Sequence, residues 1–188
     1  IIHPDWNIES ESFDADIAIV VLGEKTEFHR YIKPICLPPQ SDDDVTGKGK
    51  VAGWGQSNKS AEFIGSYKKT PEELEIPVIR ASKCYPKFPS LSRASSERMF
   101  CAGFDNEGKG TCFGDSGSGF YVAESPSSPF LVKGIVSSSQ LDNQKSCDVN
   151  KYSLYTNVGM FSDWIYSMMK ETNEMEWTEV QLKCKVNE

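Results

Sequence analysis

The stretch Thr111-Cys112-Phe113-Gly114-Asp115-Ser116-Gly117-Ser118-Gly119-Phe120 sets three glycines, an aspartate and two serines between a cysteine and an aromatic residue. Glycine reaches backbone conformations closed to other residues, so such a run turns sharply and can expose neighbouring N–H groups together. Ser116 sits at its centre. A serine hydroxyl is a weak nucleophile until a base takes its proton, and the oxyanion formed on attack needs preorganised donors. The N–H groups of Gly114 and Ser116 suit that second need. An isolated Gly-x-Ser-Gly turn is equally an ordinary surface loop, so the surrounding chain decides how it is read.

The chain has 188 residues, enough for a substantial core and for one or at most two domains. Its 27 acidic and 20 basic residues leave a net charge of -7, which opposes the phosphate neutralisation that drives nucleic-acid binding, so no nucleic-acid partner is implied. No apolar run approaches the roughly 20 residues that cross a bilayer, and no membrane association is expected. The start, Ile1-Ile2-His3-Pro4, has neither an initiator Met nor a basic region leading into an apolar one. It reads as a fragment or a processed chain, with any secretory signal upstream.

Six cysteines, Cys36, Cys84, Cys101, Cys112, Cys147 and Cys184, are scattered without a Cys-x-x-Cys pair, and His3 and His29 are the only histidines. That pattern argues for structural disulfides rather than a metal site, and no cofactor is expected. Disulfides in turn place the chain in an oxidising, extracellular compartment, and the secreted reading agrees with the glycosylation acceptor Asn58-Lys59-Ser60.

Short apolar runs recur between turn signals: 16–22, 50–55, 75–79, 99–102, 119–122, 130–136 and 153–158. β-Branched and aromatic residues at this spacing indicate an all-β barrel or sandwich. Phe161, Trp164, Ile165 and Met168 recur at helical spacing and predict a helix over about 160–170. A shorter helix is expected over 81–87, up to the interruption by Pro86 and Pro89. Acidic 42–44 and Ser/Pro-rich 125–129 read as surface turns. Residues 171–188 are charged and aperiodic and read as a C-terminal extension.

With these elements in order, Gly114-Asp115-Ser116-Gly117 resembles the nucleophile motif of the chymotrypsin-like (trypsin-like, S1) serine peptidases. Asp16-Ile17-Ala18-Ile19 is similar to the family's strand carrying the triad aspartate, and His3-Pro4 to a His-Pro that precedes it. Ile35-Cys36-Leu37-Pro38, Gly53-Trp54-Gly55, Ile76-Pro77-Val78 with Cys84, Phe100-Cys101-Ala102-Gly103, Gly134-Ile135-Val136-Ser137 and Phe161-Ser162-Asp163-Trp164-Ile165 follow in the family's order. Ser118-Gly119, in place of the family's usual Gly-Pro, resembles insect modular members of the gastrulation and clip types.

The resemblance implies a double antiparallel β-barrel with a C-terminal α-helix. The partial peptidase domain would cover 1–170: the end of an incomplete first barrel over 1–34, then the second barrel and helix over 35–170. It implies disulfides Cys84–Cys101 and Cys112–Cys147, and for Cys36 a bond to an upstream segment of the same protein, with pairing to Cys184 as the alternative. It implies a secreted endopeptidase acting on protein or peptide substrates, with Ser116 as nucleophile, Asp16 as triad aspartate and the amides of Gly114 and Ser116 as oxyanion hole. Asp115 would take part in the ion pair that switches a zymogen on.

The family's chain order is His, then Asp, then Ser, and the context of its histidine has no counterpart here. His3 occupies the noncatalytic His-Pro and His29 is expected to face solvent, so the base is expected upstream and these 188 residues are expected to be inactive alone. Ile1 is followed by His-Pro rather than Gly-Gly and is not expected to be an activated terminus. The alternative is a catalytically inactive homologue serving as a binding or regulatory module. The implied substrate pocket comprises Gly110, Ser137, Ser138, Ser139 and Ser153. Gly110 stands where trypsin-like members carry an aspartate, so a buried partner for Arg or Lys is missing.

Overall fold

A computed structural model of the chain describes residues 1–39, 45–56 and 68–172. Asn58, Cys184 and almost all of the 171–188 extension lie outside them.

Six strands form one closed barrel. They are β1 (Lys48–Gly53), β2 (Glu72–Ile79), β3 (Met99–Ala102), β4 (Gly119–Val122), β5 (Leu131–Ser139) and β6 (Ser153–Asn157). Their order around the barrel is β1-β2-β3-β6-β5-β4, and neighbouring strands pair antiparallel throughout. Alternate side chains of each strand enter the barrel, where Val51, Ile76, Ala102, Phe120, Val136 and Tyr155 form its core. Strand β6 is buried along its whole length. Its Tyr155 faces the barrel interior while Leu154, one residue earlier, packs into a second layer with Leu91, Tyr152 and the Cys84–Cys101 disulfide. A strand covered on both faces loses the polar alternation that marks a half-exposed one.

Between β2 and β3 lie α1 (Ala81–Lys87) and α2 (Pro89–Ala94). The first matches the short helix expected there. The second was hidden because Pro89 reads as a breaker, yet at the first helical position proline's missing N–H costs nothing. After β6 a 3-10 turn (Val158–Phe161) leads into α3 (Ser162–Glu171), close to the helix expected over 160–170. The disulfides among these elements are Cys84–Cys101 and Cys112–Cys147, the pairs that the resemblance implies. Cys36 is itself disulfide-bonded.

The strand expected over 16–22 does not form. Residues 1–34 contribute only isolated bridges, Ile2 with Ala18 and His29 with Ile32. The pairing of 1–3 with 17–19 is short: His3 N–H donates to the Ile17 carbonyl at 3.2 Å and Ile19 N–H to that of Ile1 at 2.8 Å. An extended segment becomes a sheet strand only when a ladder of neighbours takes its N–H and C=O groups, and 20–22 meet none among the described residues. Val20 and Leu22 accordingly stand 82% and 58% exposed.

What anchors this segment is packing against the 3-10 turn and α3. Ala15 and Ile17 are buried with Val158, Phe161 and Ile165. His3, 8% exposed, sets its ring edge-on to Phe161 and Trp164 with centroids 5.0 and 4.7 Å away, and its Nδ1 accepts the Asp5 N–H at 3.1 Å.

Burial holds the His3 pKa below its ordinary value, against a smaller opposing pull from Asp5. A base whose folded pKa is depressed binds fewer protons folded than unfolded, so stability is lost as pH falls from neutrality through about 6.5. The loss levels off below the folded pKa. Urea midpoints measured from pH 7.5 to 5.0 should fall in the native chain and fall distinctly less in His3→Phe, which keeps the ring contacts without the titration. Equal slopes in both would show that His3 is not the group responsible.

Candidate active site

The loop between Gly110 and β4 is held at both ends. Cys112 is bonded to Cys147, and Phe120 is locked inside the barrel. Gly114 and Gly117 have φ of 91° and 85°, in the left-handed region that a side chain disfavours. Within the loop the Cys112 amide donates to Asp115 Oδ2 and the Phe113 amide to Cys147 Sγ. Those of Asp115, Gly117 and Ser118 reach the carbonyls of Cys112, Val136 and Asp115. The amides of Gly114 and Ser116 meet no acceptor among the described residues. Ser116 is exposed, and its hydroxyl has no protein partner among the described residues.

Asp16 approaches from the N-terminal segment. Its Oδ2 accepts the Ser137 hydroxyl at 2.7 Å and its carbonyl accepts the Thr156 hydroxyl at 2.9 Å, which ties it to β5 and β6. Asp16 and Ser116 line one cavity of about 470 Å³, walled by Ile2, Trp6, Val20 and Ile135. Neither histidine lines it. His3 is engaged with Phe161 and Trp164, while His29 is exposed, with its Nδ1 accepting the Tyr31 N–H. The two expected triad residues are thus brought to one cavity, and among the described residues no imidazole lines it.

Asp115 points away from that cavity. Its carboxylate accepts the Gly55 amide at 2.9 Å and the Cys112 amide at 3.0 Å. A Cβ on Gly53 or Gly55 would come within 2.1 or 2.2 Å of this carboxylate, which explains glycine on both sides of Trp54. Asp115 also borders a pocket of about 280 Å³ shared with Gln56, Leu74, Gly110 and Thr111. Ile1 is elsewhere: its ammonium donates to the Ile19 carbonyl at 2.7 Å.

The residues expected to form the substrate pocket divide. Ser137 gives its hydroxyl to Asp16 and belongs with the aspartate. Ser138 lies at the irregularity in the β5–β6 register. Ser139 and Ser153 are 3.0 Å apart through their hydroxyls, and both lie near the Thr111 hydroxyl, at 3.4 and 3.2 Å. Tyr155 adds a phenol 3.4 Å from Thr111, and burial pushes its pKa up, keeping it protonated. Four hydroxyls therefore close on one another beside Gly110, which packs against Val149. Thr111 and Tyr155 were not among the expected residues. The period-two spacing of Ser153 and Tyr155 along β6 is the signal that places them on one face.

The trypsin family model matches residues 1–165. Phenoloxidase-activating factor 1 of Holotrichia diomphalia is 33% identical over 165 residues, 87% of this chain and 42% of that protein. Serine protease gd of Drosophila melanogaster is 28% identical over 193 residues, 87% of this chain and 36% of that protein. Mannan-binding lectin serine protease 1 of Mus musculus is 27% identical over 164 residues, 87% of this chain and 22% of that protein. The chain thus spans less than half the length of each of these relatives. Matched from its first residue to the first turn of α3, it belongs to the trypsin family of serine proteases.

Proposed function

We propose that this chain is the larger part of the catalytic domain of a secreted serine endopeptidase, completed by a histidine that precedes Ile1. The observation that carries the proposal is the single cavity shared by Asp16 and Ser116, beside two amides left without acceptors. The imidazole enters that cavity, accepts the Ser116 proton and donates its other N–H to the Asp16 carboxylate. Ser116 Oγ bonds to the scissile carbonyl carbon, the oxyanion rests on the Gly114 and Ser116 amides, and the imidazolium returns its proton to the leaving amine as the C–N bond breaks. Water then repeats the sequence on the ester and releases the acid. The disulfides support an oxidising, extracellular setting.

Asp115 is the ion-pair partner of a new N-terminus made by activation cleavage upstream. Its carboxylate is satisfied by two backbone amides and, among the described residues, by no cation. The pocket it borders is open to an incoming ammonium. The chain covers 42% and 36% of the two insect relatives, which leaves room for a regulatory region ahead of the domain.

In the complete protein a fluorophosphonate probe should label Ser116, and Ser116→Ala should abolish labelling. Asp16→Asn should lower kcat by on the order of 10⁴ while leaving the fold intact. Failure to label the activated complete protein would instead favour an inactive homologue acting as a binding or regulatory module.

The hydroxyls of Thr111, Ser139, Ser153 and Tyr155 draw the walls of the expected substrate pocket together, so the pocket takes a small residue at the cleavage position. Peptide anilides ending in alanine should exceed those ending in arginine by at least about 100-fold in kcat/KM. The double variant Ser139→Gly/Ser153→Gly should narrow that gap for larger residues. A preference for arginine in the native protein would refute the closed pocket.

A further inference from the structure

Ala15, fully buried and directly before Asp16, has a φ of 56°. This left-handed conformation is disfavoured for any residue with a Cβ and persists only where neighbours impose it. The turn is tight: the Asp16 amide donates to the Phe13 carbonyl at 3.3 Å and the Ile17 amide to that of Ala15 at 2.7 Å. It aims the Asp16 carboxylate at Ser137. On the far side of Asp16 the Thr156 hydroxyl holds its carbonyl. What holds the near side is a set of contacts to the segment joining α2 and β3.

That set centres on Arg98. Its Nε donates to Asp14 Oδ1 at 3.0 Å, one terminal nitrogen donates to Asp14 Oδ2, and the other reaches Asp5 Oδ2 at 2.7 Å. Two parallel bonds to one carboxylate fix orientation as well as distance. The Ser96 hydroxyl donates to Asp14 Oδ1 at 2.6 Å, and the Phe13 amide to the Ala94 carbonyl at 2.8 Å. The guanidinium lies 4.9 Å from the centre of the Phe161 ring, and the Arg98 carbonyl accepts the Asn157 amide from the end of β6. Arg98 is thereby rooted in the barrel. Its hydrogen bonds hold the Asp14 carboxyl below the usual carboxylate range, so the contact favours the ionised pair.

We propose that Arg98 is a positioning residue for Asp16: by gripping Asp14 and Asp5 from the barrel, it imposes the left-handed turn at Ala15 that directs the Asp16 carboxylate to Ser137. Its consequence for catalysis rests on the role given to Asp16 above, whereas the conformational coupling does not.

The two parts are separable through Ala15→Gly, because glycine adopts a φ near 56° without being forced. Hydrogen exchange of residues 12–19 in the native chain is compared with Arg98→Gln and with Asp14→Asn, each made with Ala15 in place and again on top of Ala15→Gly. Exchange over β5 and β6 serves as the internal reference. With Ala15 in place, either substitution should speed exchange of 12–19 by about tenfold, the scale set by the left-handed penalty. On top of Ala15→Gly the increase should be about threefold or less. A generally structural role for Arg98 predicts the same increase in both backgrounds, and that result, or no increase at all, would overturn the proposal. In the activated complete protein Arg98→Gln should lower kcat about tenfold with KM unchanged, and Ala15→Gly should recover most of the loss. A complete protein that never labels with the probe would remove the catalytic role of Asp16, while the exchange comparison still decides the clamp.

Discussion

Closure of the barrel around the ring of Phe120 is the constraint on which the rest of this structure depends. Strands β1 and β4 meet over only two residue pairs, Lys50 with Tyr121 and Val51 with Phe120. So short a seam holds because Phe120 lies inside it, edge-on to Phe100 and Tyr155 at 5.3 Å. Two glycines make room for that packing. A Cβ on Gly49 would stand 2.1 Å from the Phe120 ring, and one on Gly134 would stand 2.6 Å from the Phe100 ring. Phe120 is four residues after Ser116, so the packing that closes the barrel also fixes one end of the Ser116 loop. The Cys112–Cys147 disulfide fixes the other end. Interiors packed at crystal-like density transmit such constraints with little slack.

Asp16 is held by different means. It sits on a segment without a regular sheet, and its place comes from hydrogen bonds to Ser137 and Thr156, from Ala15 and Ile17 buried against the last helix, and from the Arg98 clamp. The serine is positioned by core packing and a covalent bond, the aspartate by two apolar neighbours and by polar contacts, of which those of Arg98, Asp14 and Asp5 are partly exposed. Polar contacts at a surface open more readily than a closed core. The aspartate side of the cavity is therefore the part whose geometry responds to local substitutions and to the occupancy of the cavity.

The sequence made the barrel strands and the tight turn around Ser116 legible because each carries a local signature. Alternating β-branched and aromatic runs betray strands, and Gly114 and Gly117 are glycines where positive φ demands them. What escaped was set by partners far along the chain. The run over 16–22 has every strand residue it needs, yet a strand is defined by neighbours that take its backbone groups, and only 1–3 lie beside it. Ser137 looked like its neighbours Ser138 and Ser139, but the bulge in β5 turns its hydroxyl to Asp16, 121 positions away. Arg98 gave no sign at all: a lone arginine in a loop is ordinarily a solvated charge, and nothing in the local pattern pairs it with Asp14.

The cavity at Asp16 also bears on the group that the proposed mechanism requires there. A carboxylate offers about four acceptor sites, and Asp16 Oδ2 takes the Ser137 hydroxyl as its side-chain donor among the described residues. Of the walls around the remaining acceptor capacity, Ile2, Val20 and Ile135 are aliphatic and offer it no side-chain donor. An ammonium there would be ionised at neutral pH and could not accept the Ser116 proton, and a second carboxylate would repel the first. A neutral imidazole carries both a donor for Asp16 and an acceptor for Ser116 on one rigid ring, and its unperturbed pKa lies near neutrality. The chemistry of the site thus supports the imidazole of the proposed mechanism.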